Sequence, residues 1–352
     1  MELNKRIKNY KKFQKLFKTS NLQKSSSWKE LFSFLVSFNN TCIDRNTYTL
    51  NTDIILKGSF NRESVNADVV FGETTNKIKV AVKKIPLDEI DLYYIEDFKK
   101  IDNITPKKIL ESNSDVLTEL YFLNKTTYLL NKKICNFLPF IYKYYICNDC
   151  EFNNNRVKSK FSSNDKIPCL YVITEKADGD LEHYIIKKST TEKKLYSAYL
   201  QIFIALYVIK KFYKIEHQDL HINNVLFFNI KPGGYWKYKI NGKIIYVPNY
   251  GALFILWDFA YSIIPELVFT KDNKNLYIKN KKYILEDQLR VTGGISHYNK
   301  KFLNFHYDLE KLIQSSKTPS DIVFKLYKKY NKYNKDVDKK VVIDYFNTDK
   351  KI

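Results

Sequence analysis

Ten consecutive residues constrain this chain more than any other segment: His217-Gln218-Asp219-Leu220-His221-Ile222-Asn223-Asn224-Val225-Leu226. They follow a stretch from about Thr191 to Tyr213 in which Leu195, Tyr199, Ile202, Leu206 and Ile209 recur at helical spacing, the buried face of a long helix. They lead into an apolar run that reads as a strand. Asp219 and Asn224 therefore sit in a compact polar loop pinned between two core elements. Leu256-Trp257-Asp258-Phe259-Ala260 places a second carboxylate at the end of another apolar run, and Val80-Ala81-Val82-Lys83 places a lysine at the end of a third.

The surrounding pattern gives the fold class. Short β-type runs lie at Ile54–Leu56, Val69–Phe71 and Ile78–Ile85, the last closed by Pro86, which cannot donate to a ladder. Val116, Leu120, Leu123, Thr127 and Leu130 predict a helix over about 114–130, with Glu119 beside its apolar stripe. Phe140–Ile146 and Leu170–Thr174 read as strands, and the Ser/Asn-rich Asn148–Asp165 between them as an exposed loop. Ser189 with Glu192 predicts a capping box opening the long helix. A β-rich half followed by a helical half predicts an α+β chain of two lobes, with polar groups near their junction.

Composition narrows the function classes. A 44% hydrophobic content excludes a wholly disordered chain, and no apolar run approaches the roughly 18 residues that a membrane span needs. Lys+Arg 59 against Asp+Glu 38 gives a formal charge of +21. Lys, Asn, Ile, Tyr and Phe all have A/T-rich codons, so genome composition accounts for part of that charge, and nucleic acid is not expected as the primary partner. Residues 1–44 read as a basic extension: Lys5, Arg6, Lys8, Lys11, Lys12, Lys15 and Lys18 crowd a short segment, followed by Ser25-Ser26-Ser27 and a helix from Trp28 to Phe38. A solvated basic helix is the expectation, and docking to an acidic partner is its functional alternative. Five cysteines make no disulfide framework, and no secretory signal precedes them, so an intracellular, reducing, cytoplasmic location is expected. Cys147-x-x-Cys150, with Cys135 and Cys169, lacks the second pair that a zinc site of this type needs. Ordinary cysteines are expected.

In chain order, Lys83, the Asp219–Asn224 loop and Asp258-Phe259-Ala260 resemble the β3 lysine, the catalytic loop and the magnesium-binding Asp-Phe-Gly segment of the protein-kinase superfamily, over roughly residues 48–315. Between Asp219 and Asp258 lies Tyr235–Pro248, in which Asn241-Gly242 is flanked by alternating apolar residues and predicts a hairpin. That insertion, after Asp-Leu-His, resembles haspin-like kinases and the serine/threonine kinases of large DNA viruses. A viral source would place the protein in host cytoplasm or virion.

The resemblance implies a bilobal protein-kinase-like fold, with a β-rich lobe at 45–175 and a mostly helical lobe at 176–352 carrying the hairpin near 233–250. It implies ATP and Mg²⁺ as cofactors and Ser or Thr hydroxyls of a protein substrate as acceptors. Lys83 would hold the α- and β-phosphates with Glu119 orienting it, Asn224 and Asp258 would hold Mg²⁺, and Asp219 would accept or orient the hydroxyl proton. Leu56, Gly58, Ser59 and Val65 of the glycine-rich loop, with Glu175 and Ala177 of a hinge-like segment, would complete the ATP site. His217 is expected to be a packed structural residue. Asp308 resembles a helix carboxylate that braces the catalytic loop.

Departures from the pattern set further expectations. Phe60 and Glu63 replace the later loop glycines, which crowds the backbone against the phosphates and lowers ATP affinity. Ala260 replaces the glycine of Asp-Phe-Gly and would be strained if that position needs φ > 0. Gln218 replaces an arginine that would meet an activation-loop phosphate, so activity is expected not to depend on such phosphorylation. His221 also occurs at this position in aminoglycoside- and choline-kinase-like enzymes, which makes a small-molecule phosphotransferase the main alternative. A pseudokinase scaffold is the second.

Overall fold

Burial along Lys79–Pro86 shows how the β-rich part is organised: Val80 and Val82 are fully buried, and Lys83 and Lys84 join them. The computed structural model describes residues 3–16, 43–44, 49–50, 54–64, 67–99, 105–152, 167–187, 189–268, 289–292, 300–335 and 341–350. The chain divides into two units, one of residues 7–124 and 140–176, the other of residues 1–6, 125–139 and 177–352. The expected helix at Trp28–Phe38 and most of the expected loop at Asn148–Asp165 lie outside the described residues.

The first unit is built on a seven-stranded antiparallel sheet. Its strands are β1 (Ile43–Asp44), β2 (Thr49–Leu50), β3 (Ile54–Ser64), β4 (Ala67–Thr74), β5 (Lys79–Pro86), β6 (Ile141–Cys150) and β7 (Ile167–Glu175), in the order β1-β2-β3-β4-β5-β7-β6. Lys83 lies opposite Val69 on one side and Val172 on the other, so its strand is internal and its backbone is fixed from both edges. Helices α2 (Glu89–Lys99), α3 (Pro106–Glu111) and α4 (Asp115–Asn131) follow β5, the last starting one residue from expectation.

The N-terminal segment corrects the sequence reading. Helix α1 (Leu3–Leu16) is not an appendage. Tyr10 stacks on Phe140 at 5.0 Å and Phe13 on Tyr142 at 4.9 Å, and Gln14 donates to the Tyr142 carbonyl at 2.7 Å. The basic stripe is the other face: Lys5, Lys8, Lys11, Lys12 and Lys15 are exposed. An amphipathic helix satisfies both observations, because the apolar residues interleave the lysines at helical spacing.

The cysteines also depart from expectation, since Cys150 and Cys169 form a disulfide with a Cα–Cα distance of 6.1 Å. The β6–β7 ladder explains it. Cys147 pairs with Cys169, and an irregularity between Cys147 and Cys150 brings the second cysteine of the motif into range.

The second unit is organised around α6 (Glu192–Tyr213), whose residues Leu195 to Ile209 are all buried. Although its apolar residues do not form one uninterrupted run, this helix is long and apolar enough to cross a membrane by length and composition, but 83% of its most apolar window is buried inside the protein. The expected capping box does not form: Thr191 is the N-cap and makes no side-chain cap bond. Glu192 instead accepts the Tyr333 hydroxyl at 2.8 Å. Helix α5 (Leu181–Ile186) precedes α6, and strands β8 (Gly179–Asp180), β9 (Val225–Asn229) and β12 (Ala252–Leu256) form a small sheet in the order β12-β9-β8. Buried Gln201 of α6 satisfies the edge of that sheet, donating to the Ala252 carbonyl at 3.2 Å and accepting from Phe254 N–H at 2.9 Å.

The predicted hairpin is present as β10 (Tyr235–Ile240) and β11 (Lys243–Pro248). Ile240 pairs with Lys243, and Asn241 and Gly242 have φ of 45° and 76°, a two-residue turn with both central residues left-handed. A strand absent from the sequence reading, β13 (Val342–Asn347), pairs in parallel with β10. Beyond it, the Asp349 carboxylate accepts the backbone N–H groups of Asn241 and Gly242 at 2.9 and 2.8 Å. The start of α1 joins this unit. Leu3 N–H donates to Asp344 at 3.0 Å, and buried Arg6 donates to the Asn136 carbonyl, to Asn136 Oδ1 at 3.0 Å and to the Leu138 carbonyl at 2.6 Å. Helices α7 (Pro265–Val268), α8 (Leu303–Gln314) and α9 (Pro319–Lys329) follow, with 3₁₀ turns at Lys300–Phe302 and Asn331–Lys335.

Candidate active site

The polar loop and the second carboxylate meet because β9 and β12 are antiparallel neighbours. Val225 pairs with Leu256, so the residue before β9 and those after β12 leave the ladder at the same end. Trp257 N–H donates to the Asn224 carbonyl at 2.8 Å, which extends the pairing by one step. The 39-position separation of Asp219 and Asp258 does not enter this geometry, since the β10–β11 hairpin is looped out between β9 and β12.

Within the loop, Asn224 ends a single 3₁₀ turn over Ile222–Asn224. Its amide nitrogen donates to the Asp219 carbonyl at 2.8 Å and to Asp219 Oδ2 at 3.2 Å. These bonds use the nitrogen and leave the amide oxygen as the group's remaining donor atom toward a cation. His221 accepts the Asn223 backbone N–H on Nδ1 at 3.3 Å and lies with Nε2 3.7 Å from Asp219 Oδ2. Arg290, which the sequence reading did not single out, approaches the other carboxylate oxygen, Oδ1, at 3.5 Å.

His217 is the packed residue that was expected. It is buried, its Nε2–H donates to the Trp257 carbonyl at 2.8 Å, and its ring lies 4.9 Å from Phe259. Burial holds its pKa below the usual imidazole value, which leaves it neutral. Below it, Glu216 pairs with Lys210 at 2.8 Å and exchanges backbone hydrogen bonds with Ile263, tying the segment before Asp219 to the segment after Asp258. Burial raises the Glu216 pKa against the lowering effect of Lys210.

Two non-glycine residues here are left-handed, Gln218 at φ 64° and Asp258 at φ 59°. Such residues cost about 1–3 kcal/mol and persist where the surroundings over-determine them. The strain expected at Ala260 is absent, because the left-handed residue is Asp258, two positions earlier. Asp308 also departs from expectation: it pairs with Lys329 of α9 at 2.8 Å and is 44% exposed.

In the sheet unit, Lys83 Nζ contacts both oxygens of Glu119 at 2.8 Å. Both residues are buried, so this pair spans 36 positions in a low-dielectric environment. Leu56 is buried in β3, where the β3–β4 ladder jumps from Lys57–Phe71 to Arg62–Val69, so the backbone of Gly58 and Ser59 falls outside the regular pairing. Val65 lies outside the described residues. Glu175 ends β7 opposite Val80 and is buried. Ala177 starts the second unit, just before Asp178, which donates its N–H to the Phe227 carbonyl at 2.9 Å.

The donor set suits a hard cation, with a carboxylate on Asp258 and an amide oxygen on Asn224. Among the described residues no cluster of three or more His, Cys, Asp or Glu forms a metal site by itself. A cation held here would therefore need phosphate oxygens or water to complete its shell.

Residues 3–275 match the haspin-like kinase domain family. A probable serine/threonine-protein kinase of Invertebrate iridescent virus 6 is 33% identical over 177 residues, covering 47% of this chain and 32% of that protein. A putative serine/threonine-protein kinase of Frog virus 3 is 29% identical over 144 residues, covering 40% of this chain and 16% of that one. The matched stretches thus span a third or less of these relatives.

Proposed function

Because the chain belongs to the haspin-like kinase domain family, we propose that it transfers the terminal phosphoryl group of ATP to Ser or Thr hydroxyls of a protein substrate, with Mg²⁺ as cofactor. The observation that carries this is the Asp219–Asn224 loop joined to Trp257-Asp258 at one end of the β9–β12 ladder. Phosphoryl transfer is chiefly a matter of positioning and charge neutralisation, and the residues divide that work. Glu119 holds the Lys83 ammonium by two contacts, which orients it toward the α- and β-phosphates. Asp258 and the Asn224 amide oxygen hold Mg²⁺, which when bound neutralises phosphate charge. Asp219 accepts or orients the proton of the acceptor hydroxyl, and the Asn224 amide nitrogen fixes its Oδ2. Leu56, Gly58, Ser59, Val65, Glu175 and Ala177 complete the nucleotide site. The protein kinase names of the viral relatives support the same reading.

The test is incubation with radiolabelled ATP and Mg²⁺ of wild type, Asp219→Asn and Lys83→Met, offering protein acceptors and a mixture of small hydroxyl compounds. We expect label on protein Ser or Thr with wild type, and a loss of about 10²–10⁴-fold for Asp219→Asn. Label on a small compound alone would assign a small-molecule phosphotransferase. ATP binding without any transfer would assign a scaffold.

A further inference from the structure

Arg290 is the group on the acceptor side of this site that the reaction as described leaves unused. Its guanidinium lies 3.5 Å from Asp219 Oδ1, the oxygen that Asn224 and His221 do not approach. The backbone carrying it is fixed: Val291 and Thr292 are buried, the Val291 carbonyl accepts the Tyr199 hydroxyl at 2.8 Å, and Thr292 Oγ1 donates to the Leu289 carbonyl at 2.7 Å. The side chain itself is 58% exposed while the Asp219 side chain is 25% exposed. An anchored stub therefore presents an exposed planar cation beside the carboxylate that must meet the incoming hydroxyl.

The residue type strengthens the argument. Only five of the 59 basic residues are arginine, so composition alone would supply lysine here. Arginine differs by its planar fork, which grips carboxylate or phosphate oxygens in pairs. The other arginine whose contacts are resolved, Arg6, uses that fork on the carbonyls of Asn136 and Leu138. A 3.5 Å contact to Asp219 leaves the fork unsaturated.

Resting on the protein-kinase reading, we propose that Arg290 selects substrates bearing an anionic group next to the accepting Ser or Thr. The carboxylate or phosphate draws the guanidinium away from Asp219 Oδ1, and the freed oxygen receives the hydroxyl. Acidic and already phosphorylated neighbours share this chemistry, and the experiment separates them.

Ser/Thr peptide libraries with a neighbouring Glu, phosphoserine, Ala or Lys are assayed with labelled ATP and Mg²⁺ on the full chain, as wild type, Arg290→Ala and Arg290→Glu. Wild type is expected to favour anionic neighbours over Ala by about tenfold in kcat/KM, the size of one charge-assisted contact. Arg290→Ala reduces that preference to within about twofold, and Arg290→Glu turns it toward Lys. A larger gain from phosphoserine than from Glu identifies a primed substrate, and equal gains identify an acidic one. Labelling without an anionic preference, or a preference that survives Arg290→Ala, overturns the role of Arg290 and leaves the kinase standing. No peptide labelling by wild type overturns the protein-kinase reading itself, and this proposal with it.

Discussion

Asp91 shows what a buried carboxyl costs this protein. It is 5% exposed, accepts the Ser114 hydroxyl, and exchanges hydrogen bonds with Asp88, accepting Asp88 N–H at 3.1 Å while its own N–H reaches Asp88 Oδ1 at 2.8 Å. Burial pushes its pKa up to about 6, against the lowering effect of Ser114 and the Asp88 backbone. The folded form thus binds the proton more tightly than the unfolded chain does, so the stability contribution is present at low pH and drains as pH rises through about 6. We expect the stability difference between Asp91→Asn and wild type to shift in the variant's favour from pH 4 to pH 7, on the order of 2 kcal/mol. Denaturant titrations at the two pH values measure it, and a difference that stays flat would reject the assignment.

At this scale the sequence was most informative where residue type and order carry the chemistry. Asp219 and Asn224 stand out because six polar residues in ten interrupt two apolar runs, and Asp258 because it places a carboxylate at the end of another. Lys83 and Glu119 were legible only as a pair, and their contact is visible only once folding brings them together. Arg290 was not legible, since nothing near it in sequence relates it to Asp219, 71 positions earlier.

Among the elements, the β6–β7 hairpin carries a covalent tie that periodicity does not reveal. The Cys150–Cys169 bond joins residues 19 apart across a ladder whose pairing is irregular between Cys147 and Cys150. Closing a loop of that length removes roughly 3 kcal/mol of unfolded-chain freedom in the chain-entropy description. A Cys150→Ser, Cys169→Ser double variant should therefore lose about 3 kcal/mol of unfolding free energy and unfold at lower denaturant concentration, and a thiol reductant should move wild type toward the variant. Equal midpoints for both proteins, oxidised and reduced, would contradict the expectation.

Hairpin β10–β11 was legible to the residue because Asn-Gly is one of few dipeptides able to hold both left-handed positions. The capping box does not form, since Ser189 and Glu192 have the right spacing but the helix starts two residues later than that box requires. Strand β13 went unread although Val341-Val342-Ile343 is strongly β-type, because its partner lies about a hundred positions away.

Across the whole molecule, residues from distant parts of the sequence close a single aromatic column. Phe346 of β13 stacks on Tyr238 at 4.6 Å, and Tyr238 on Phe137 at 5.2 Å. Phe346 is fully buried, so Phe346→Ala leaves a cavity and an open strand face together. We expect a loss of about 3–5 kcal/mol by chemical denaturation, and a loss under 1 kcal/mol would show that β13 contributes little.

The parallel pairing of β13 with β10 has a consequence for how the protein is made. A ribosome releases the long helix, the polar loop and the hairpin well before residues 342–349 emerge. Until then the free edge of β10 has no neighbour, the hairpin tip lacks the Asp349 carboxylate, and the Leu3 N–H awaits Asp344. The nascent chain therefore carries an open β-edge for the hundred or so residues that separate β10 from β13, and this unit finishes folding only after β13 has emerged.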